Sequence, residues 1–185
     1  MKKAITKVQR PDSPRSKSAA PRSPKPPVDS VTIRRGRRAD LAAVRRLTAA
    51  SFLGVTLEQN VEQHLGRLNG RDWRWRKTRH VDEDFRHHPE GLFVAVARGR
   101  VVGYVTTVVD QESGRGRIPN LAVASAHRGH GLGRRLIEAA LDSFRARKLA
   151  YAMIETMEQN QVGQHLYPAC GFVEVARQVH YARRL

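Results

Sequence analysis

The stretch "NLAVASAHRGHGLGRRLIEAAL", Asn120 to Leu141, decides how this chain folds. An apolar run ending near Val123 passes through a turn dense in glycine and basic residues into a helical pattern. Leu132, Leu136, Ile137, Ala140, Leu141 and Phe144 fall on one face of a helix from Gly131 to about Lys148. The first amide protons of such a helix have no intrahelical partner, and with the helix dipole they make an anion site. Glycine lets the backbone come close to a phosphate without obstruction by Cβ, and Arg128, Arg134 and Arg135 add charge at the same end. A phosphate-bearing ligand fits there.

The glycine spacing narrows the ligand. Gly129, Gly131 and Gly133 run G-x-G-x-G, and Arg134 stands where a dinucleotide fingerprint needs its last glycine. No G-K-[ST] follows for a nucleotide P-loop. The remaining pattern is R-x-x-G-x-G, Arg128 to Gly133, directly after "NLAV".

Outward from this loop the chain alternates strand and helix patterns. "VTIRRG", Val31 to Gly36, reads as a short strand, and Asp40 as a helix N-cap or first-turn acid before Leu41, Val44, Leu47 and Phe52. A second helix is predicted from Leu57 to about Leu68, stopped by Asn69 and Gly70. "LFVAVARGRVVGYVTTVV" reads as a hairpin, Leu92 to Ala97 and Val101 to Val109 around a turn at Arg98 to Arg100. "RIPNLAV" and "YAMIET" read as strands, "NQVGQHLY" begins a helix, and "GFVEVARQVHYARRL" reads as two closing strands. The polar segment from Arg71 to Gly91, with Trp73 and Trp75, fits helix and loop equally. The fold class is α/β, an α+β layered domain over residues 31–185, behind a basic Pro/Ser-rich tail over residues 1–30 that is expected to be disordered.

Composition bounds the function. The 185 residues are 40% hydrophobic and 28% charged, with a formal charge of +17 and a single cysteine, Cys170. Met1 to Ser30 holds eight Lys or Arg against two Asp, a net +6, which leaves +11 for the other 155 residues. Such charge favours anionic partners, and a nucleic-acid contact through the tail is compatible with it. One cysteine excludes an internal disulfide, no window is apolar enough for a bilayer, and no apolar leader opens the chain, so a cytoplasmic protein without membrane attachment is expected. His80, Asp82, Glu83, Asp84, His87 and His88 show no recognised ligand spacing, and no metal is expected.

A second motif, "ETMEQNQVGQHLYPACGF", follows the glycine loop. Asn160 and Tyr167 lie two helical turns apart and share a face with Gly163 and Gln164, and Gly163 inside a helix signals a close approach. With this motif the chain from Val31 to Leu185 resembles the GNAT superfamily, the GCN5-related N-acetyltransferases, in motifs and in order of elements. The resemblance implies a central mixed, mostly antiparallel sheet flanked by helices, and acetyl-CoA as co-substrate. It further implies that the fourth and fifth strands splay, with Leu121, Ala122 and Val123 offering backbone amides to the thioester and its pantetheine arm. Arg128, Gly129, His130, Gly131, Leu132, Gly133 and Arg134 would cradle the pyrophosphate, Asn160 would contact the cofactor, and Tyr167 would be the general acid. Gly163 would face the pantetheine arm or the neighbouring strand. Glu155, whose spacing to Asn160 and Tyr167 is similar to that in ribosomal-protein alanine N-acetyltransferases, would take the amine proton, directly or in competition with water.

These readings make the chain an N-acetyltransferase acting on a primary amine of a small molecule or protein, as a monomer or homodimer. The rival is a non-catalytic acetyl-CoA-binding or nucleic-acid-associated module of the same fold. Neutralising a lysine at pH 7 costs about 4 to 5 kcal/mol and an α-amine about 1 to 2 kcal/mol, so a weak base suits an α-amine. Two features stand out. Pro168 inside the last turn is expected to distort the helix beside Tyr167, and "WRWRK", Trp73 to Lys77, lies where the superfamily shapes its acceptor pocket.

Overall fold

The structure is a computed structural model that describes residues 31–185; the expected N-terminal tail lies outside the described residues. Ten strands and α-helices follow in order among the described residues: β1 (Val31–Arg35), α1 (Leu41–Ser51), α2 (Leu57–Leu65), α3 (Trp73–His87), β2 (Leu92–Ala97), β3 (Arg100–Asp110), β4 (Arg115–Val123), α4 (Leu132–Ala146), β5 (Tyr151–Ile154) and α5 (Gln161–Ala169). The strands form one sheet in the order β1-β2-β3-β4-β5, antiparallel except for the parallel pair β4 and β5.

α4 covers one face of the sheet. Its Leu132, Leu136, Ile137, Ala140 and Phe144 are buried with Val31, Phe93, Val105 and Ile118. α1 and α3 cover the other face, where Leu41, Val44 and Val81 pack with Leu92, Val94, Tyr104 and Ala122. Asp40 does precede α1, as its N-cap residue, but its carboxylate accepts from the Arg37 N–H at 2.8 Å and pairs with Arg34 at 2.8 Å. Tyr104, fully buried, shares a 2.7 Å hydrogen bond with Thr48, which settles its hydroxyl inside the core.

β4 is irregular in a way that shapes everything after it. Asn120 pairs with Thr106 and Arg117 with Val108, so Ile118 and Pro119 together stand opposite Thr107 alone. This is a bulge, and a proline fits it because the ladder asks nothing of a missing N–H there. The β4–β5 ladder stops at the same place, at Ile118 and Ile154, while β4 runs on to Val123.

One open reading is decided and one expectation is corrected. The polar segment with the two tryptophans is a helix, α3, capped by the Asp72 side chain accepting from Trp75 N–H at 3.0 Å. The closing strands are not formed: residues 172–185 carry no regular structure, and Val173, Val175, Val179 and Tyr181 are exposed. Strand preference in β-branched residues is largely a preference for packing against cross-strand neighbours, and these side chains have found none.

Candidate acetyl-transfer site

Beyond Ile118 the far edge of β4 is free of β5. Ala124 N–H donates to Val102 O at 2.8 Å, which fixes the alternation along this end of the ladder. Ala122 therefore also turns its backbone toward β3, opposite Tyr104, while Leu121 and Val123 turn theirs into the gap. Two of the three expected amides face the slot; Ala122 belongs to the β3 ladder. The Val123 carbonyl accepts from Arg128 Nε at 2.9 Å, so Arg128 ties the glycine loop to the end of the slot.

The loop ends at Gly131, with φ +72°, and α4 starts at Leu132. The first donor into the helix ladder is Arg135, to Gly131 O at 3.1 Å. Leu132, Gly133 and Arg134 thus start the helix with N–H groups outside its ladder, at its positive end. Gly129 has φ +80°, and nothing lies within 4 Å of where a Cβ would sit on Gly129 or Gly131. Both glycines answer a backbone requirement and leave open space in front of them, as an anion cradle needs. His130 is held by Nδ1 on the Arg128 carbonyl at 2.7 Å. Arg134 borders an open cavity of about 570 Å³ with Arg34, Arg35 and Phe93, and its charge also acts on the Cys170 thiol at the end of α5.

The second motif builds the opposite wall. Asn160 is the N-cap of α5: Oδ1 accepts from Gly163 N–H at 3.3 Å, and Nδ2 donates to Thr156 Oγ1 at 2.8 Å. A Cβ on Gly163 would lie 2.6 Å from Thr156 Oγ1 and 2.8 Å from Asn160 Nδ2. The close approach is to these two side chains rather than to a strand. Pro168 does not break α5, which continues to Ala169. A Schellman closure follows: Phe172 N–H donates to Tyr167 O at 3.1 Å and Gly171 N–H to Pro168 O at 2.9 Å, with Gly171 at φ +87°. The apolar contact that accompanies such a closure is between Tyr167 and Phe172, edge to face with centroids 6.4 Å apart. The "YPACGF" run therefore fixes the Tyr167 ring.

Burial pushes the Tyr167 hydroxyl up to about 12, against a smaller downward pull from the neighbouring Thr156 hydroxyl, with Glu155 adding to the rise. Tyr167 stays a neutral proton donor through the physiological range. Both Glu155 oxygens accept from Arg117 Nε, at 2.9 and 3.1 Å, across the end of the β4–β5 ladder. The structure thus gathers Glu155, Thr156, Asn160 and Tyr167 where β5 ends and α5 begins. Sequence reading missed Arg117, Thr156 and the bulge; only the last had a signal, a proline inside a strand pattern. Trp73 is buried, and exposed Trp75 has Arg71 and Arg79 against its ring at 5.2 and 5.1 Å. Among the described residues no group of three His, Cys, Asp or Glu could hold a metal ion, and no helix is long and apolar enough to cross a membrane.

A split parallel strand pair, backbone groups turned into the split and a glycine turn feeding a helix N-terminus together make a slot that ends at an anion cradle. Residues 56–172 match the Acetyltransferase (GNAT) family, and the chain belongs to it. It is 37% identical over 67 residues to N-alpha-acetyltransferase 30 of Saccharomyces cerevisiae, covering 36% of this chain and 38% of that protein. It is 36% identical over 103 residues to mycothiol acetyltransferase of Tsukamurella paurometabola, covering 51% and 35%. The chain thus spans little more than a third of the length of either relative. The crystal structure of the ribosomal-protein-S18-alanine N-acetyltransferase from Escherichia coli shares the fold, with a TM-score of 0.58 at 20% identity over 79% of each chain.

Proposed function

We propose that residues 31–185 form an acetyl-CoA-dependent N-acetyltransferase that acetylates a primary amine, of a small molecule or of a protein, by direct attack in a ternary complex. The observation that carries the reading is the slot. Leu121 and Val123 turn their backbone into it, one end meets the unbonded amides of Leu132, Gly133 and Arg134, and the other meets Glu155 and Tyr167. The relatives fit this reading, since one is named an N-alpha-acetyltransferase and another a mycothiol acetyltransferase.

Acetyl-CoA supplies an acetyl group activated as a thioester. Leu121 and Val123 N–H groups orient its carbonyl and arm, and the loop from Arg128 to Arg134 holds the pyrophosphate. Asn160 and Thr156 hold the start of α5 against the slot. Tyr167, neutral and fixed by Phe172, donates its proton to the departing sulfur. Glu155, oriented by Arg117, takes the amine proton directly or through water.

CoA-thiol release across a panel of amines tests the reading, with Tyr167→Phe as the comparison. Release with at least one amine, reduced in kcat by Tyr167→Phe, is expected. Tight acetyl-CoA binding with no turnover of any acceptor would instead make the chain a binding module.

A further inference from the structure

Where β5 ends and α5 begins, the Thr156 hydroxyl lies among Asn160, Gly163 and Tyr167. Thr156 Oγ1 accepts from Asn160 Nδ2 at 2.8 Å. It also stands 2.6 Å from where a Cβ would sit on Gly163, so it fills the room left by that missing side chain. Tyr167 is one helical turn beyond Gly163 on the same face, and a helical side chain leans back over the turn before it. The Tyr167 hydroxyl is thereby brought beside the Thr156 hydroxyl, which acts on it as a hydrogen-bond donor.

The helix cap fixes the direction of these bonds. Asn160 Oδ1 accepts from the Gly163 N–H at 3.3 Å, and a main-chain N–H can only donate. The amide nitrogen of Asn160 is therefore the atom turned to Thr156, and it too can only donate. The Thr156 hydroxyl, accepting from Asn160, has its own proton left to give, and Tyr167 is the group on which it acts. The carboxylate next to it in the chain, Glu155, is held by Arg117. A phenol oxygen that accepts from Thr156 has its own proton free to point elsewhere, and Phe172 fixes the ring that carries it.

We infer that Thr156 is a positioning residue for Tyr167: its hydroxyl, oriented by Asn160, donates to the phenol oxygen and leaves the Tyr167 proton directed at the departing sulfur. This rests on the acetyltransferase reading. As the amine nitrogen bonds to the acetyl carbon, its proton goes to Glu155 or to water. The carbon–sulfur bond breaks and the sulfur takes the Tyr167 proton. The phenolate left behind keeps the Thr156 hydrogen bond until solvent reprotonates it. A hydrogen bond to a charged oxygen is about twice as strong as one to a neutral oxygen, so Thr156 holds the transition state more firmly than the ground state.

The test follows CoA-thiol release by the full chain with acetyl-CoA and an amine that it turns over. Thr156→Val keeps the shape and removes the hydroxyl, whereas Thr156→Ser keeps the hydroxyl. Thr156→Val should lower kcat about tenfold and leave KM for acetyl-CoA within about twofold, and Thr156→Ser should retain most of the rate. In a Tyr167→Phe background, Thr156→Val should change kcat by less than about twofold, because the group it orients is gone. Asn160→Asp keeps a capping oxygen for the Gly163 N–H but turns the donor facing Thr156 into an acceptor, which reverses the bond. It should slow kcat as Thr156→Val does without melting α5, and it carries the test where Thr156→Val does not fold. Equal losses in the two backgrounds, a loss confined to KM, or Thr156→Ser no better than Thr156→Val overturns the inference and leaves the acetyltransferase reading intact. Turnover that Tyr167→Phe does not slow also overturns it. Absence of turnover with every amine, despite acetyl-CoA binding, removes both.

Discussion

Gly163→Ala sets two known effects against each other. Alanine in a helix is favoured over glycine by about 0.5 to 1 kcal/mol, so propensity alone makes the variant more stable. The new methyl would lie 2.6 Å from Thr156 Oγ1 and 2.8 Å from Asn160 Nδ2, well inside contact distance. Those two atoms are bonded to each other at 2.8 Å, and Asn160 Oδ1 caps the helix through the Gly163 N–H. Overpacking of this kind costs about 1 to 3 kcal/mol, and a lost N-cap about 1 kcal/mol. The net expectation is destabilisation by about 1 to 3 kcal/mol. For a domain of this size that is a fall in Tm of roughly 3 to 10 °C, read by thermal and urea denaturation. Removing Thr156 beyond Cα in the same background, as Gly163→Ala with Thr156→Gly, relieves the closer clash. The double-mutant cycle should therefore show a favourable coupling of about 1 kcal/mol or more. A more stable Gly163→Ala, or a cycle without coupling, refutes the packing argument and leaves propensity as the dominant effect.

Three further outcomes follow from the same geometry. Gly131→Ala meets no atom within 4 Å but places a Cβ at φ +72°, so it should cost about 1 to 2 kcal/mol and raise KM for acetyl-CoA more than it lowers kcat. Asp84→Asn keeps the shape but removes the charge that Thr106 and Asn120 bond, and should cost about 1.5 to 3 kcal/mol in urea denaturation. Burial raises Tyr104 and Tyr167 above the ordinary tyrosine value, Tyr167 to about 12. Both bind their protons more tightly when folded, so the stability this contributes is complete below pH about 10 and falls above it, for Tyr167 until about pH 12 and for Tyr104 beyond that. The slope is about 1.4 kcal/mol per pH unit for each tyrosine, and Tyr167→Phe should roughly halve it in alkaline denaturation.

The parts of the fold that could be read from sequence are those where one period of side chains meets one apolar face. α4 places Leu132, Leu136, Ile137, Ala140 and Phe144 in the core at helical spacing, and the β2–β3 hairpin is β-rich on both arms. α3 escaped because its buried stripe is Trp73, Lys77 and Val81, and a lysine in the middle position interrupts the apolar signal. The closing segment failed in the opposite direction: Val173, Val175 and Val179 carry a strong strand pattern, but a pattern cannot supply the partner strand. Within the site, Gly131, Asn160 and Tyr167 were legible because each serves a local backbone or helix-end requirement. Arg117, Thr156 and Asp84 were not, because they act across elements far apart in the chain.

The bulge at Ile118 and Pro119 explains why these distant residues converge. In a regular strand Ile118, Asn120 and Ala122 would all point to one face. Here Ile118 packs under α4, whereas Asn120 bonds Asp84 of α3 and Ala122 packs with the α1 and α3 side. One extra residue has exchanged the faces. The polar Asn120 is thereby delivered to the side where Lys77 lies, and Leu121 and Val123 turn their side chains to the α4 core. The bulge also lies where the β4–β5 ladder ends, so the residues that change face are the ones whose amides open into the slot. A single irregularity therefore sets the amides of the slot and the polar Asn120 at adjacent positions on one strand. A straight β4 would bury Asn120 beneath α4.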